Sequence, residues 1–115
     1  MCNYCFKKKM RLSNSIYFQY VFKNPFKIDT LEISVLGRSN LLEYPRLGLS
    51  IPRKNIKYAH HRNLIKRLIR ETFRLLQHKL ILMDYIVIAK KNILHFNNKK
   101  YTINILNGLW SNYFK

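Results

Sequence analysis

The chain has 115 residues and a mass of 14.0 kDa, with 22 Lys+Arg against 5 Asp+Glu and a formal charge of +17. This length implies one domain, 48% hydrophobic and 14% aromatic residues supply a core, and self-repulsion on so small a body implies a polyanionic partner, nucleic acid before an anionic membrane surface. Five acids standing singly (Asp29, Glu32, Glu43, Glu71, Asp84) make neither a two-metal cluster nor a glycosidase pair, and three scattered glycines make no phosphate loop or nucleophile elbow.

Residues 1–12 are basic and aperiodic, so they are expected to form a flexible basic arm belonging to the mature protein rather than a transit peptide. Cys2 and Cys5 have the spacing of half a zinc or redox site, but the other half is missing. They are read as incidental thiols, without a disulfide framework, in a reducing cytoplasmic setting. A helix capped by Ser13 or Asn14 is expected to run to about Lys23, where Asn24-Pro25 stops it. Phe18 and Phe22 share a face at i, i+4, either as core or as an aromatic ledge for unpaired bases. Tyr17, Tyr20 and Val21 already offer packing surface, which favours the ledge.

Leu31, Ile33 and Val35 alternate with Glu32 and Ser34, and Leu47, Leu49 and Ile51 alternate with Gly48 and Ser50. Period two predicts two half-exposed strands, joined as an antiparallel hairpin with a long loop and closed by Pro52. From about Tyr58 to Lys79 the pattern is helical. Counting about 100° per residue from Arg62, Leu64, Ile65, Leu68, Ile69, Leu75 and Leu76 fall between about 200° and 340°, opposite Asn63, Lys66, Arg67, Arg70 and Arg74. Glu71 is the sole acid among nine Lys/Arg from Arg53 to Lys79, so this cationic face points to a bound anion. His60, His61, His78 and His95 are weighed as acid and base for RNA cleavage. His60 and His61, about 100° apart, are not expected to face one scissile bond.

The apolar run from Tyr85 to Ala89 predicts a strand covered on both faces or lying centrally, parallel to the strand before the basic helix. It falls far short of the ~18 residues of a membrane span. A last helix is expected from about Asn98 to Phe114, with Thr102, Ile105, Leu106, Leu109, Trp110 and Tyr113 as its stripe and Gly108 weakening it by about 1 kcal/mol.

The stretch Arg46-Leu-Gly-Leu-Ser-Ile-Pro-Arg-Lys54, followed by Ala59-His-His-Arg62-Asn63-Leu-Ile-Lys66-Arg67-Leu-Ile-Arg70-Glu-Thr-Phe73-Arg74, resembles the signature of the bacterial ribonuclease P protein subunit. Similarity continues through Arg11-Leu12, Phe18 to Phe22, Asp84 to Lys91 and Leu109-Trp110, nearly the whole chain. The resemblance implies an α+β, single-domain α-β-β-α-β-α arrangement, a mixed sheet with the basic helix packed on it and a left-handed β-α-β crossover. General chirality alone predicts a right-handed one.

It further implies a protein that assists a catalytic RNA in removing the 5′ leader of precursor tRNA. No catalytic residue, metal or cofactor is expected on the protein, the Mg²⁺ being bound by the RNA, and neither a membrane nor a small-molecule substrate is expected as partner. By the same resemblance, Lys57, Arg62, Asn63, Lys66, Arg67, Arg70 and Arg74 contact the catalytic RNA, and Phe18, Phe22, Arg53 and Lys54 form the leader cleft. Leu64 stands where the family motif has a second arginine, so either Lys66 and Arg67 compensate or affinity for the RNA is reduced. The alternatives are a general structured-RNA binder and a stand-alone metal-independent nuclease.

Overall fold

Asn14 starts the first helix, its side chain accepting the Ile16 N–H at 2.9 Å, and α1 runs Ser15–Lys23 before Pro25. The computed structural model describes residues 8–12, 14–90 and 99–115. After a 3-10 turn at Lys8–Met10 and α1 come β1 (Phe26–Asp29), β2 (Ile33–Ser39), β3 (Arg46–Ser50), α2 (Ala59–Leu76), β4 (Met83–Ala89) and α3 (Lys99–Ser111). Cys2, Cys5, the alternative cap Ser13, His95 and the expected helix start at Asn98 lie outside the described residues.

The sheet order is β1-β2-β4-β3, with β3 parallel to β4 and the other pairs antiparallel. The parallel pairing across the basic helix is therefore present. The hairpin is not: β4 lies between β2 and β3, because its continuous apolar run is stable only with a neighbour on each side and cover on both faces. The antiparallel hairpin is instead β1 with β2, from Phe26↔Gly37 to Asp29↔Ser34. Nor is β2 half-exposed; Ser34 is buried at 2% exposure with its hydroxyl on Asp29.

One sheet face presents Ile33, Val35, Leu47, Tyr85, Val87 and Ala89 to Ile65, Leu68, Ile69 and Phe73 of α2 and to Leu106, Leu109 and Trp110 of α3, with Tyr113 beyond it. Burying each such side chain contributes about 1.5–3 kcal/mol. Trp110 Nε1 donates to Thr72 Oγ1 at 3.0 Å, and the Tyr113 hydroxyl lies 2.6 Å and 2.9 Å from the carbonyls of Phe26 and Val35. Burial pushes the phenols of Tyr85 and Tyr113 well above the usual range. Leu75, assigned to the core stripe of α2, is exposed, while Thr72 and Phe73 are buried. The apolar arc is displaced because α3 packs on α2 and brings the Trp110 ring to 5.5 Å from Phe73.

Among the described residues the other face is covered by α1 and the Leu12 segment, through a small cluster of Leu12, Val21, Leu36 and Ile86 with Phe18 and Ile88 at its margin. Of the expected flexible arm, residues 1–7 lie outside the described residues, and residues 8–12 lie against the sheet. Met10 and Leu12 are buried, the Leu12 N–H donates to Leu47 O at 2.8 Å, and Arg11 bridges Leu47 in parallel, extending the sheet beyond β3. Among the described residues no helix is long and apolar enough to cross a membrane.

Candidate nucleic-acid interface

Helix α1 turns its residues in three directions. Val21 is fully buried against the sheet. Tyr17 and Tyr20, expected to pack as apolar surface, remain about 40% exposed and lie on guanidinium groups, Tyr17 against Arg46 with 4.3 Å from ring centroid to Cζ and Tyr20 against Arg38 with 3.9 Å. Arg46 is held there by two 2.7 Å hydrogen bonds to Asp84, whose Oδ1 also accepts from Asn40 at 3.0 Å. Asp84 is 1% exposed, so this bidentate pair satisfies a buried charge and raises the pKa of Arg46 further. In the third direction lie Phe18, half-buried, and Phe22, 47% exposed, with ring centroids 6.2 Å apart.

Phe18 lines a cavity of about 300 Å³ along the outer edge of β3, with Arg11, Leu12, Leu47, Gly48 and Leu49, and with Lys66 and Arg70 reaching in from α2. Lys66 and Arg70 are spaced i, i+4 and share a side of the helix. One ring of the aromatic ledge, Phe18, and part of the basic motif, assigned separately from the sequence, therefore open onto one space, which Phe22 does not line. Asn63 and Arg67 form the neighbouring stripe and line a second cavity of about 380 Å³ with His60 and Leu64.

The remaining expected residues do not converge there. Arg62 turns back, its Nη1 donating to the carbonyls of Ile56 at 3.0 Å and Lys57 at 2.9 Å, so it braces the segment entering α2. Arg74 is paired with Glu71, whose carboxyl is held below the usual range chiefly by that contact. Arg53 and Lys54 are exposed on the turn after β3, where Asn55 ties the turn to Ala89 O at 2.8 Å, and neither lines the Phe18 cavity. Lys57 is exposed beside Tyr58.

His60 and His61 follow one another on α2, yet their rings touch edge to face at 4.0 Å between centroids and both lie within 6 Å of the Tyr58 ring. Partial burial and the adjacent His60 hold His61 below the usual imidazole range. Among the described residues no three His, Cys, Asp or Glu side chains gather as metal ligands.

Sequence reasoning missed Arg11 and Gly48 as lining residues. The signal for Arg11 was the Arg-Leu pair itself, whose Leu12 anchors on β3; for Gly48 it was a glycine inside a strand. The acids are placed equally specifically. Asp29 meets Lys90 and Ser34, which lower its pKa, Glu71 meets Arg74, and Asp84 meets Arg46. None of these three acids lines the Phe18 or Arg67 cavity. The lined space combines cations, one aromatic ring and an apolar floor, which suits phosphates and unpaired bases together.

The model of the family described as Ribonuclease P matches residues 6–113. The chain is 67% identical to the ribonuclease P protein component of Buchnera aphidicola subsp. Schizaphis graminum, over 98% of each chain. It is 44% identical to that of Haemophilus influenzae, covering 96% of this chain and 92% of the relative. Among solved structures, the Staphylococcus aureus RNase P protein superposes with a TM-score of 0.78 at 25% identity, covering 92% of this chain and 98% of that one. The Thermotoga maritima RNase P protein does so with 0.68 at 29% identity, covering 85% and 96%. With the mixed sheet, the basic helix and nearly the full length matched, the chain belongs to the ribonuclease P protein family.

Proposed function

We propose that this protein acts in the cytoplasm as the subunit of ribonuclease P that binds the catalytic RNA and the 5′ leader of precursor tRNA, assisting endonucleolytic removal of the leader. Membership of the family carries the tie to that enzyme and its RNA. The observation that supports the finer reading is the Phe18 cavity, where a ring and two cations of α2 share one opening. A ring face stacks on any base at about 1–3 kcal/mol, and Lys66 and Arg70 neutralise the phosphates beside it, so a leader is held without demand on its sequence. Asn63 and Arg67, on the adjoining stripe, face the catalytic RNA. The protein supplies no group to the cleavage itself; the chemistry and its Mg²⁺ belong to the RNA.

Reconstitution tests this reading. Precursor tRNA is incubated at low Mg²⁺ with the protein, with a ribonuclease P RNA, and with both. Cleavage that needs both components is expected; cleavage by the protein alone, or no effect of the protein on the RNA, overturns the proposal. Phe18→Ala in the holoenzyme is expected to weaken precursor binding by about 1–3 kcal/mol and mature tRNA binding far less.

A further inference from the structure

Gly48 occupies the middle of β3, where a glycine weakens a strand and contributes no side chain to packing. Its backbone does not require a glycine, since no glycine among the described residues has a positive φ. Space does. A Cβ built on Gly48 would lie 2.7 Å from Cζ and 2.8 Å from Cε1 of Phe18, and 2.9 Å from the carbonyl oxygen of Leu12. Gly108 is the opposite case, with no atom within 4 Å of the same construction.

We infer that Gly48 is a positioning residue for the leader cavity, a seat cut into β3 on which the edge of the Phe18 ring rests. The inference rests on the leader-binding reading of Phe18. On one flank of the seat the Leu12 carbonyl is held, because the Leu12 N–H is bonded to Leu47 O at 2.8 Å and Leu12 itself is buried. A methyl group at position 48 therefore displaces chiefly the ring, the closer neighbour and the end of a side chain with free torsions, while the Leu12 carbonyl at 2.9 Å has to give only slightly. The cavity it lines with Lys66 and Arg70 is open to the ring. Swung outward, it occupies the space of the base it is meant to support. The seat thus sets the height of the stacking surface relative to the two cations, which is what lets one nucleotide meet the ring with its base and Lys66 or Arg70 with its phosphate.

A double-mutant cycle in the reconstituted holoenzyme tests this, using Gly48→Ala, Phe18→Ala and the two together. Affinities are read for precursor and mature tRNA, and denaturant midpoints for each protein alone. Gly48→Ala is expected to reduce the preference for precursor over mature tRNA about fivefold or more, the low end for one lost stack, and to cause no further reduction in the Phe18→Ala background. The same loss in both backgrounds overturns the seat, because the effect then does not pass through the ring. If Phe18→Ala leaves the precursor preference unchanged, the leader reading fails; the folding cycle still tests the seat. A methyl at position 48 that destabilises the protein when the Phe18 ring is present, but much less once Phe18→Ala has removed it, supports the seat, and equal cost in both backgrounds overturns it. Should Gly48→Ala not fold, folding of the double variant supports the seat and failure of both overturns it.

Discussion

The two faces of the sheet are closed by unequal amounts of protein. Two helices and the Tyr113 segment seal one face, where Trp110, Tyr85, Tyr113 and Phe73 are fully buried and every polar tip among the first three finds a partner. Among the described residues a single nine-residue helix crosses the other, burying Val21 and leaving aromatic rings at its flanks. Stability is concentrated where cover is complete, and surface for a partner is left where it is not. The unequal covering lets a small protein devote one side of one sheet to each purpose.

The largest effect that sharpens this contrast is expected at Trp110. Trp110→Ala on the sealed face is expected to cost about 3–5 kcal/mol in denaturant unfolding, since it opens a cavity and leaves Thr72 Oγ1 without its donor. Phe22→Ala on the open face is expected to cost less than about 1 kcal/mol of stability, its ring being half in solvent, yet to weaken precursor tRNA binding by about 1–3 kcal/mol. A stability loss comparable to that of Trp110→Ala would break the contrast.

A smaller change separates the cations. Arg67→Ala in titrations with the catalytic RNA, and Arg70→Ala in titrations of the holoenzyme with precursor tRNA, are each expected to make the dependence of log K on log salt shallower by about 0.7–0.9, whereas Arg74→Ala, already paired with Glu71, changes either slope less. An equal slope change for all three would remove the distinction between cavity-lining and paired arginines. The smallest effect is a gain. Gly108→Ala, with open space around the added methyl inside α3, is expected to raise stability by about 0.5–1 kcal/mol, in contrast to the clash at Gly48.

Much of this arrangement is legible in the sequence, for reasons that also explain what is not. The basic helix stands out because its apolar and cationic residues segregate at helical period over eighteen residues. The strand β4 stands out because an unbroken apolar run has nowhere to go but the middle of a sheet. That same observation argues against a β2–β3 hairpin, since a central strand needs two neighbours; short-range turn residues between Gly37 and Pro45 suggested the wrong pairing. β1 escaped notice because Phe26–Asp29 is a four-residue edge strand with Lys27 and Asp29 alternating on its exposed side. Within the candidate site, residue type identified the cations but not their directions. Arg62 and Arg70 are indistinguishable by charge, and only the fold turns one onto the carbonyls of Ile56 and Lys57 and the other into the Phe18 cavity.

The central position of β4 also dictates when this protein acquires its shape. β2 pairs with β4 from Ile33↔Ala89 to Ser39↔Met83, and β3 pairs with it from Arg46↔Asp84 to Ser50↔Ile88. Until residues 83–89 have left the ribosome, β2 has, among the described residues, only the short β1 beside it and β3 only the Arg11–Leu12 segment. Pairings this distant along the chain close slowly, because the entropy of a long loop is lost before any contact compensates it. The aromatic and cationic surfaces therefore come into register together and late, when the last strand slots between two that were already waiting.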